Sequence, residues 1–168
     1  AEAYGSQTAF RYKVKKEIVD RTYLDVDRDS MAVSRMVESM GMEGKHIALI
    51  GTTTYQWIMS YFGIVGSGSV AVPIDAQLPA DAVCELLERA DVEMLVFDEI
   101  RRDVAEAVKE KCPSVRYILS MQAEEAADGV QSLSMLTALH AGEYEKELDG
   151  GQLATILFTS GTTGKSKG

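Results

Sequence analysis

Residues 46–75 read HIALIGTTTYQWIMSYFGIVGSGSVAVPID, and from Ile47 to Ile74 no side chain is charged. An uncharged run of this length is long enough to suggest a membrane span. Its punctuation argues for something else. Gly51, Gly63, Gly66, Gly68 and Pro73 interrupt it, together with Thr52, Thr53, Thr54, Ser67 and Ser69. A strand over His46 to Ile50, a helix and a second strand over Val70 to Val72 account for the run better, because parallel strands covered on both faces are apolar throughout. Pro73 cannot donate to a ladder and is expected to stop the second strand. Thr53 or Thr54 can cap the helix, with Trp57, Ile58, Tyr61, Phe62 and Val65 as its apolar face. Gly63, Gly66 and Gly68 lack the spacing of a dinucleotide fingerprint, so close helix packing and a turn are their expected roles.

The alternation continues downstream. Pro79 opens a helix carrying Val83, Leu86, Leu87 and Ala90, and Glu93 to Phe97 reads as a strand. Val104, Ala107, Val108 and Lys111 lie along the next helix, Cys112-Pro113 ends it, and Val115 to Leu119 is again strand. Residues 120–130 read as a surface loop, and Leu133, Leu136 and Leu139 mark a short helix. After the turn at Asp149-Gly150-Gly151, the apolar run Leu153 to Phe158 predicts an inner, buried strand.

Upstream, Phe10, Tyr12 and Val14 alternate with Arg11, Lys13 and Lys15, and Ile18 and Val19 supply a return strand, which predicts a short hairpin. Thr22-Tyr23-Leu24-Asp25 has the form of a capping box. Val26, Val33, Met36, Val37 and Met40 then share one helical face, and Gly41 can end the helix in the left-handed conformation. The fold class is therefore α/β: a mainly parallel sheet with helices on both faces and a short N-terminal β-hairpin.

At 168 residues, 46% hydrophobic and 26% charged, the chain is expected to form one domain. A net charge of -9 argues against nucleic acid as a partner, since that affinity rests on clustered Lys and Arg. Cys84 and Cys112 have no C-x-x-C or metal-ligand spacing and read as small buried hydrophobes, which fits a reduced, cytoplasmic setting. His46 and His140 are isolated from each other and read as ordinary surface or edge residues. Residues 1–20 scatter charges where a secretory leader would be apolar, and no transmembrane segment is expected.

The chemistry-bearing stretch is Thr159-Ser160-Gly161-Thr162-Thr163-Gly164-Lys165-Ser166-Lys167-Gly168, directly after the last apolar run. Glycines let successive N–H groups turn toward one anion, hydroxyls add neutral donors, and Lys165 and Lys167 add charge. A Walker A loop needs glycine at 159, where threonine stands, and a nucleophile elbow needs glycine at 158 and 162, where Phe158 and Thr162 stand.

The loop is similar to the T-S-G-T-T-G-x-P-K-G signature of the adenylate-forming enzymes, departing from it at Ser166, where proline is commonest. The resemblance extends back over Leu78-Pro79, Gly68 to Asp75 and Thr22-Tyr23, in a register that looks like acyl-CoA synthetases, the long-chain branch included. It implies an AMP-forming acid–thiol ligase that uses ATP and Mg²⁺, first making acyl-AMP and pyrophosphate from a carboxylate, a fatty acid in the long-chain case, and then acyl-CoA with coenzyme A. It implies phosphate binding by Thr159, Ser160, Gly161, Thr162, Thr163, Gly164, Lys165, Lys167 and Gly168, with no catalytic residue or metal ligand among residues 1–168. The family's acid that meets the metal, its ribose aspartate, its hinge and the lysine of its C-terminal domain are expected downstream. Residues 1–168 would then be a single α/β subdomain closing just after the loop, inactive alone. The whole protein is expected in the cytoplasm, with peripheral attachment to membrane left open. A second reading from another class is a stand-alone, flavodoxin-like phosphate-binding or signalling module, with Asp75 and Asp98 as site carboxylates near strand ends.

Overall fold

Local sequence sets both ends of the first helix. In the computed structural model, which describes residues 3–159, β1 (Thr8–Val14) and β2 (Glu17–Thr22) pair antiparallel as the expected hairpin. Helix α1 (Tyr23–Ser39) follows directly. The Asp25 N–H donates to Thr22 Oγ1 at 3.2 Å and the Thr22 N–H donates to Asp25 Oδ2 at 2.9 Å, so two first-turn donors are satisfied reciprocally. At the far end Gly41 takes φ 67°, its N–H donates to Glu38 O, and the Met42 N–H donates to Val37 O, closing a Schellman motif.

A parallel sheet forms next from β3 (His46–Ile50), β4 (Val70–Ile74), β5 (Val92–Phe97), β6 (Tyr117–Ser120) and β7 (Gln131–Ser132). The spatial order is β4-β3-β5-β6-β7. Helices α2 (Tyr55–Gly66), α3 (Ala80–Arg89), α4 (Arg102–Lys111) and α5 (Leu133–Leu139) connect or follow these strands, with a 3₁₀ turn at Glu99–Arg101. The crossovers β3→β4 and β4→β5 run in opposite directions, so right-handed connections require α2 and α3 on opposite faces. That is the arrangement found. Ala48, Ile50, Leu95 and Phe97 pack with Val83 and Leu87 of α3 and Val104 and Val108 of α4. Ile47, Leu49, Met94 and Val96 pack with Val33, Met36 and Val37 of α1, Ile64 of α2 and Leu133 of α5. Strand alternation thus feeds two cores from one sheet. Cys84 and Cys112 are both buried in the α3–α4 core, as expected of small hydrophobes.

Three details differ from the sequence reading. The buried face of α2 is Tyr55, Met59, Ser60, Gly63 and Ile64, while Phe62 is exposed and Trp57, Tyr61 and Val65 are half-buried. The helix is rotated because α1 approaches it over small residues: a Cβ on Gly63 would meet Val33 Cγ1 at 2.6 Å and Ser30 O at 2.7 Å. Strand β4 runs through Pro73 to Ile74. The Val70 N–H points to the β3 side, donating to Lys45 O, so the missing donor of Pro73 falls on the other side and the β3 pairing survives it.

The third correction concerns Leu153 to Phe158, which forms no inner strand. It lies outside β4 in a single parallel bridge between Ala71 and Thr155, with Ala71 N donating to Ala154 O and Ile156 N to Ala71 O. The next bond of that ladder would need an N–H at Pro73, which has none. Leu153 and Leu157 are exposed at 54% and 61%, whereas Ile156 and Phe158 pack against the α3 side. Among the described residues no helix is long and apolar enough to cross a membrane; the uncharged run is β3, α2 and β4.

Candidate functional site

Open parallel sheets take ligands beyond the carboxyl ends of their strands. Here that edge is built from Gly51 to Thr54 after β3, Asp75 to Pro79 after β4, Asp98 to Arg101 after β5, and Met121 and Gln122 after β6. The strand order reverses between β3 and β5, and the crevice expected there is closed. Gly51 adopts φ 139° and lies so near Asp98 that an added Cβ would sit 3.2 Å from the Asp98 nitrogen and nearer still to its Cβ. The buried Asp98 carboxylate accepts from the Thr52 N–H at 3.3 Å through one oxygen and from the Ile100 N–H at 3.1 Å through the other. Asp98 is therefore a cap of the 3₁₀ turn. Asp75 Oδ1 accepts from the Gln77 N–H at 2.9 Å in an Asx turn. Both acids of the flavodoxin-like reading thus serve the backbone, and among the described residues no group of three or more His, Cys, Asp or Glu is placed to hold a metal.

Arg101, which no motif singles out, organises the edge. Its guanidinium is almost fully buried, donates to Ala76 O at 2.5 Å and to Leu78 O at 2.9 Å, and forks onto Asp103. The Arg101 bonds hold the Asp103 carboxyl below its usual range and tie the loop after β4 to the start of α4. Ser120 donates to Glu99, which also takes both ends of a fork from Arg102. An arginine flanked by Arg102 and Asp103 reads in sequence as a solvated charge cluster, so no pattern could have marked it.

The 153–158 segment, which precedes the sequence-predicted loop, is tied to the body of the fold. Tyr61 and Thr155 hydroxyls share a 2.9 Å hydrogen bond that joins α2 to it, and Arg89 lies over the Phe158 ring at 5.6 Å. Because Thr155 pairs parallel to Ala71, the chain advances in the direction of β4, toward the carboxyl edge. Thr159, exposed, is the last described residue of the sequence-predicted phosphate loop. Ser160, Gly161, Thr162, Thr163, Gly164, Lys165, Lys167 and Gly168 lie outside the described residues.

The segment that leads to the sequence-predicted loop thus runs along the sheet edge toward the carboxyl ends. The model of the AMP-binding enzyme family matches residues 1–168. The chain belongs to the AMP-binding enzymes. Among curated AMP-binding relatives, the crotonobetaine/carnitine–CoA ligase of Salmonella paratyphi A is 29% identical over 176 residues, covering all of this chain and 34% of that protein. The chain thus spans about a third of the length of the curated relatives it matches. Among solved structures, an anthranilate CoA ligase in complex with anthranoyl-AMP superposes with TM-score 0.88 at 20% identity, covering 98% of this chain and 31% of that one. The fatty acyl CoA synthetase of Mycobacterium tuberculosis superposes with TM-score 0.74 at 20% identity, covering 84% and 28%. At such identity these AMP-binding structures speak for the fold.

Proposed function

We propose that the whole protein is an AMP-forming acid–CoA ligase. In the first step a carboxylate oxygen attacks the α-phosphorus of ATP, forming the acyl-phosphate bond of an acyl-adenylate and releasing pyrophosphate. In the second the thiol sulfur of coenzyme A attacks the acyl carbon, losing its proton, and AMP leaves. The observation that carries this reading is the family match over residues 1–168, which includes the loop that begins at Thr159.

The loop's task in this reading is to hold the β- and γ-phosphates. Backbone N–H groups and hydroxyls of residues 159–164 are neutral donors, and Lys165 and Lys167 balance the charge on the leaving pyrophosphate. Mg²⁺, when bound with the nucleotide, would neutralise further phosphate charge; the described residues offer no donor set for it, and its ligands are assigned to the rest of the protein. Residues 1–168 alone are accordingly proposed to be inactive, with the adenine, ribose and metal contacts supplied elsewhere.

The acid is proposed to be a fatty acid. A short aliphatic acid bearing a cation is the second reading, favoured by the names of the relatives at 29% identity. The test is exchange of labelled pyrophosphate into ATP by the full-length protein, with a panel of fatty, cationic aliphatic and aryl acids. Carboxylate-dependent exchange is expected, strongest with fatty acids. Exchange with none of them, or cleavage of ATP to ADP and phosphate, would refute the ligase.

A further inference from the structure

The base and the tip of the N-terminal hairpin have different fates. At the base, Phe10 and Tyr12 of β1 pack on Tyr55 at the start of α2, with ring centroids 6.0 and 5.7 Å apart, and Arg21 of β2 lies over the same ring at 5.3 Å. The Tyr55 hydroxyl is in turn fixed by a 2.8 Å bond to Asp29. The base of the hairpin is thereby anchored to the sheet's carboxyl side. Nothing comparable holds the tip. Lys13, Lys15, Lys16 and Glu17 are exposed, Val14 is 47% exposed and Ile18 is 71% exposed, directly across the ladder from Lys13.

The charge is as uneven as the packing. Residues 8–21 hold Arg11, Lys13, Lys15, Lys16 and Arg21 against Glu17 and Asp20, a balance of +3, whereas the whole chain carries -9. The remainder is therefore at -12, and this hairpin is a basic projection on an acidic body. A groove of about 790 Å³ between the hairpin and the loop before α2 is bordered by Lys13, Lys15, Arg21, Tyr12 and Thr54. Exposed aliphatic side chains framed by lysines match an anionic lipid surface, which offers phosphates to the ammonium groups and an apolar layer just beneath them. An acidic protein would meet the charges but would leave Ile18 and Val14 facing a polar surface.

We propose that the hairpin tip, Lys13 to Ile18, is a docking element for anionic membrane, with the lysines on lipid phosphates and Val14 and Ile18 entering the interface. The turn at Lys15, with φ 55°, presents the two aliphatic residues, one on each face, at the end of the two-stranded arm. Docking through this arm leaves the body, with its excess of acids, set back from the membrane surface.

The test is co-sedimentation of the full-length protein with sucrose-loaded vesicles, either of phosphatidylcholine alone or with about one-third phosphatidylglycerol. Binding to the anionic vesicles only, weakened by salt, is expected. Replacing Lys13, Lys15 and Lys16 together by glutamate should lower the partition coefficient roughly a hundredfold, and Ile18→Asp should lower it at least about tenfold while all three lysines remain. Both changes sit on an exposed tip, so unchanged thermal unfolding will show that the fold is intact. Absence of binding to anionic vesicles, equal binding to neutral ones, or indifference to Ile18→Asp would overturn the proposal. So would equal capture by polyglutamate beads with and without Ile18→Asp in a protein that ignores vesicles, which would assign the patch to an acidic protein.

Discussion

The hydroxyl of Ser34 donates a 2.8 Å hydrogen bond to the carbonyl of Gly63, across the contact of α1 with α2. So close an approach leaves no space for a side chain at 63, where a Cβ would lie 2.7 Å from Ser30 O. Gly63→Ala is therefore expected to push the helices apart and cost about 1–3 kcal/mol of stability. Gly150→Ala, where nothing lies within 4 Å of the added carbon, should stay within about 0.5 kcal/mol. Urea unfolding of both variants measures the contrast; equal effects would show that the helices are not held by this contact.

The Thr22–Asp25 capping box makes a pH-dependent contribution. The Thr22 N–H, then the Thr22 hydroxyl and the nearby Arg28 guanidinium, hold the Asp25 carboxyl below its ordinary range. A depressed carboxyl stabilises the fold above its unfolded pKa, about 3.9, and that stabilisation is lost as pH falls through the lower folded value. Thr22→Ala should cost about 1 kcal/mol at neutral pH. Asp25→Asn should be less stable than the native protein at pH 7, with the gap closing below about pH 4. A gap that stays constant with pH would assign the effect to packing.

Burial, with the neighbouring Cys84 thiol adding to it, pushes the Cys112 thiol up to about 12. Since the thiolate is the nucleophile, Cys112 should resist alkylation at pH 7.5 in the folded protein and react once urea unfolds it. Its native rate should keep rising by about tenfold per pH unit above 8.5, where an ordinary thiol levels off. Rapid stoichiometric labelling of Cys112 in the native protein would contradict this burial.

Features set by neighbouring residues could be read directly. The capping box at Thr22, the αL residue at Gly41, the cap at Thr54 and the strand at His46–Ile50 all depend on a few consecutive residues. What depended on partners far along the chain could not. The apolar run at 153–158 predicts an inner, buried strand, whereas its place outside β4 and its single bridge follow from the order of the sheet and from Pro73. The rotation of α2 follows from small residues at its contact with α1. β7 makes just two residue pairs with β6, too short for a periodic signal. At the candidate site the sequence-predicted loop stands out by its unusual composition of Gly, Ser, Thr and Lys. The scaffold of the carboxyl edge, Asp98 and Arg101, uses common residues whose roles emerge only when β4 and β5 bring their loops together.

We propose that the loop from Thr159 to Gly168 serves adenylation through the departing pyrophosphate. In the full-length protein, Lys167→Ala removes one positive charge from that loop, and a charge-assisted bond of about 1.5–3 kcal/mol corresponds to a slowing of roughly ten- to a hundredfold. The decisive measurement compares two rates in that variant: carboxylate-dependent exchange of pyrophosphate into ATP, and thioester formation from a supplied acyl-adenylate and coenzyme A. Pyrophosphate departs only in the first step, so the first rate should fall by that factor while the second stays near the native value. Equal slowing of both steps, or no slowing of the first, would contradict the assignment.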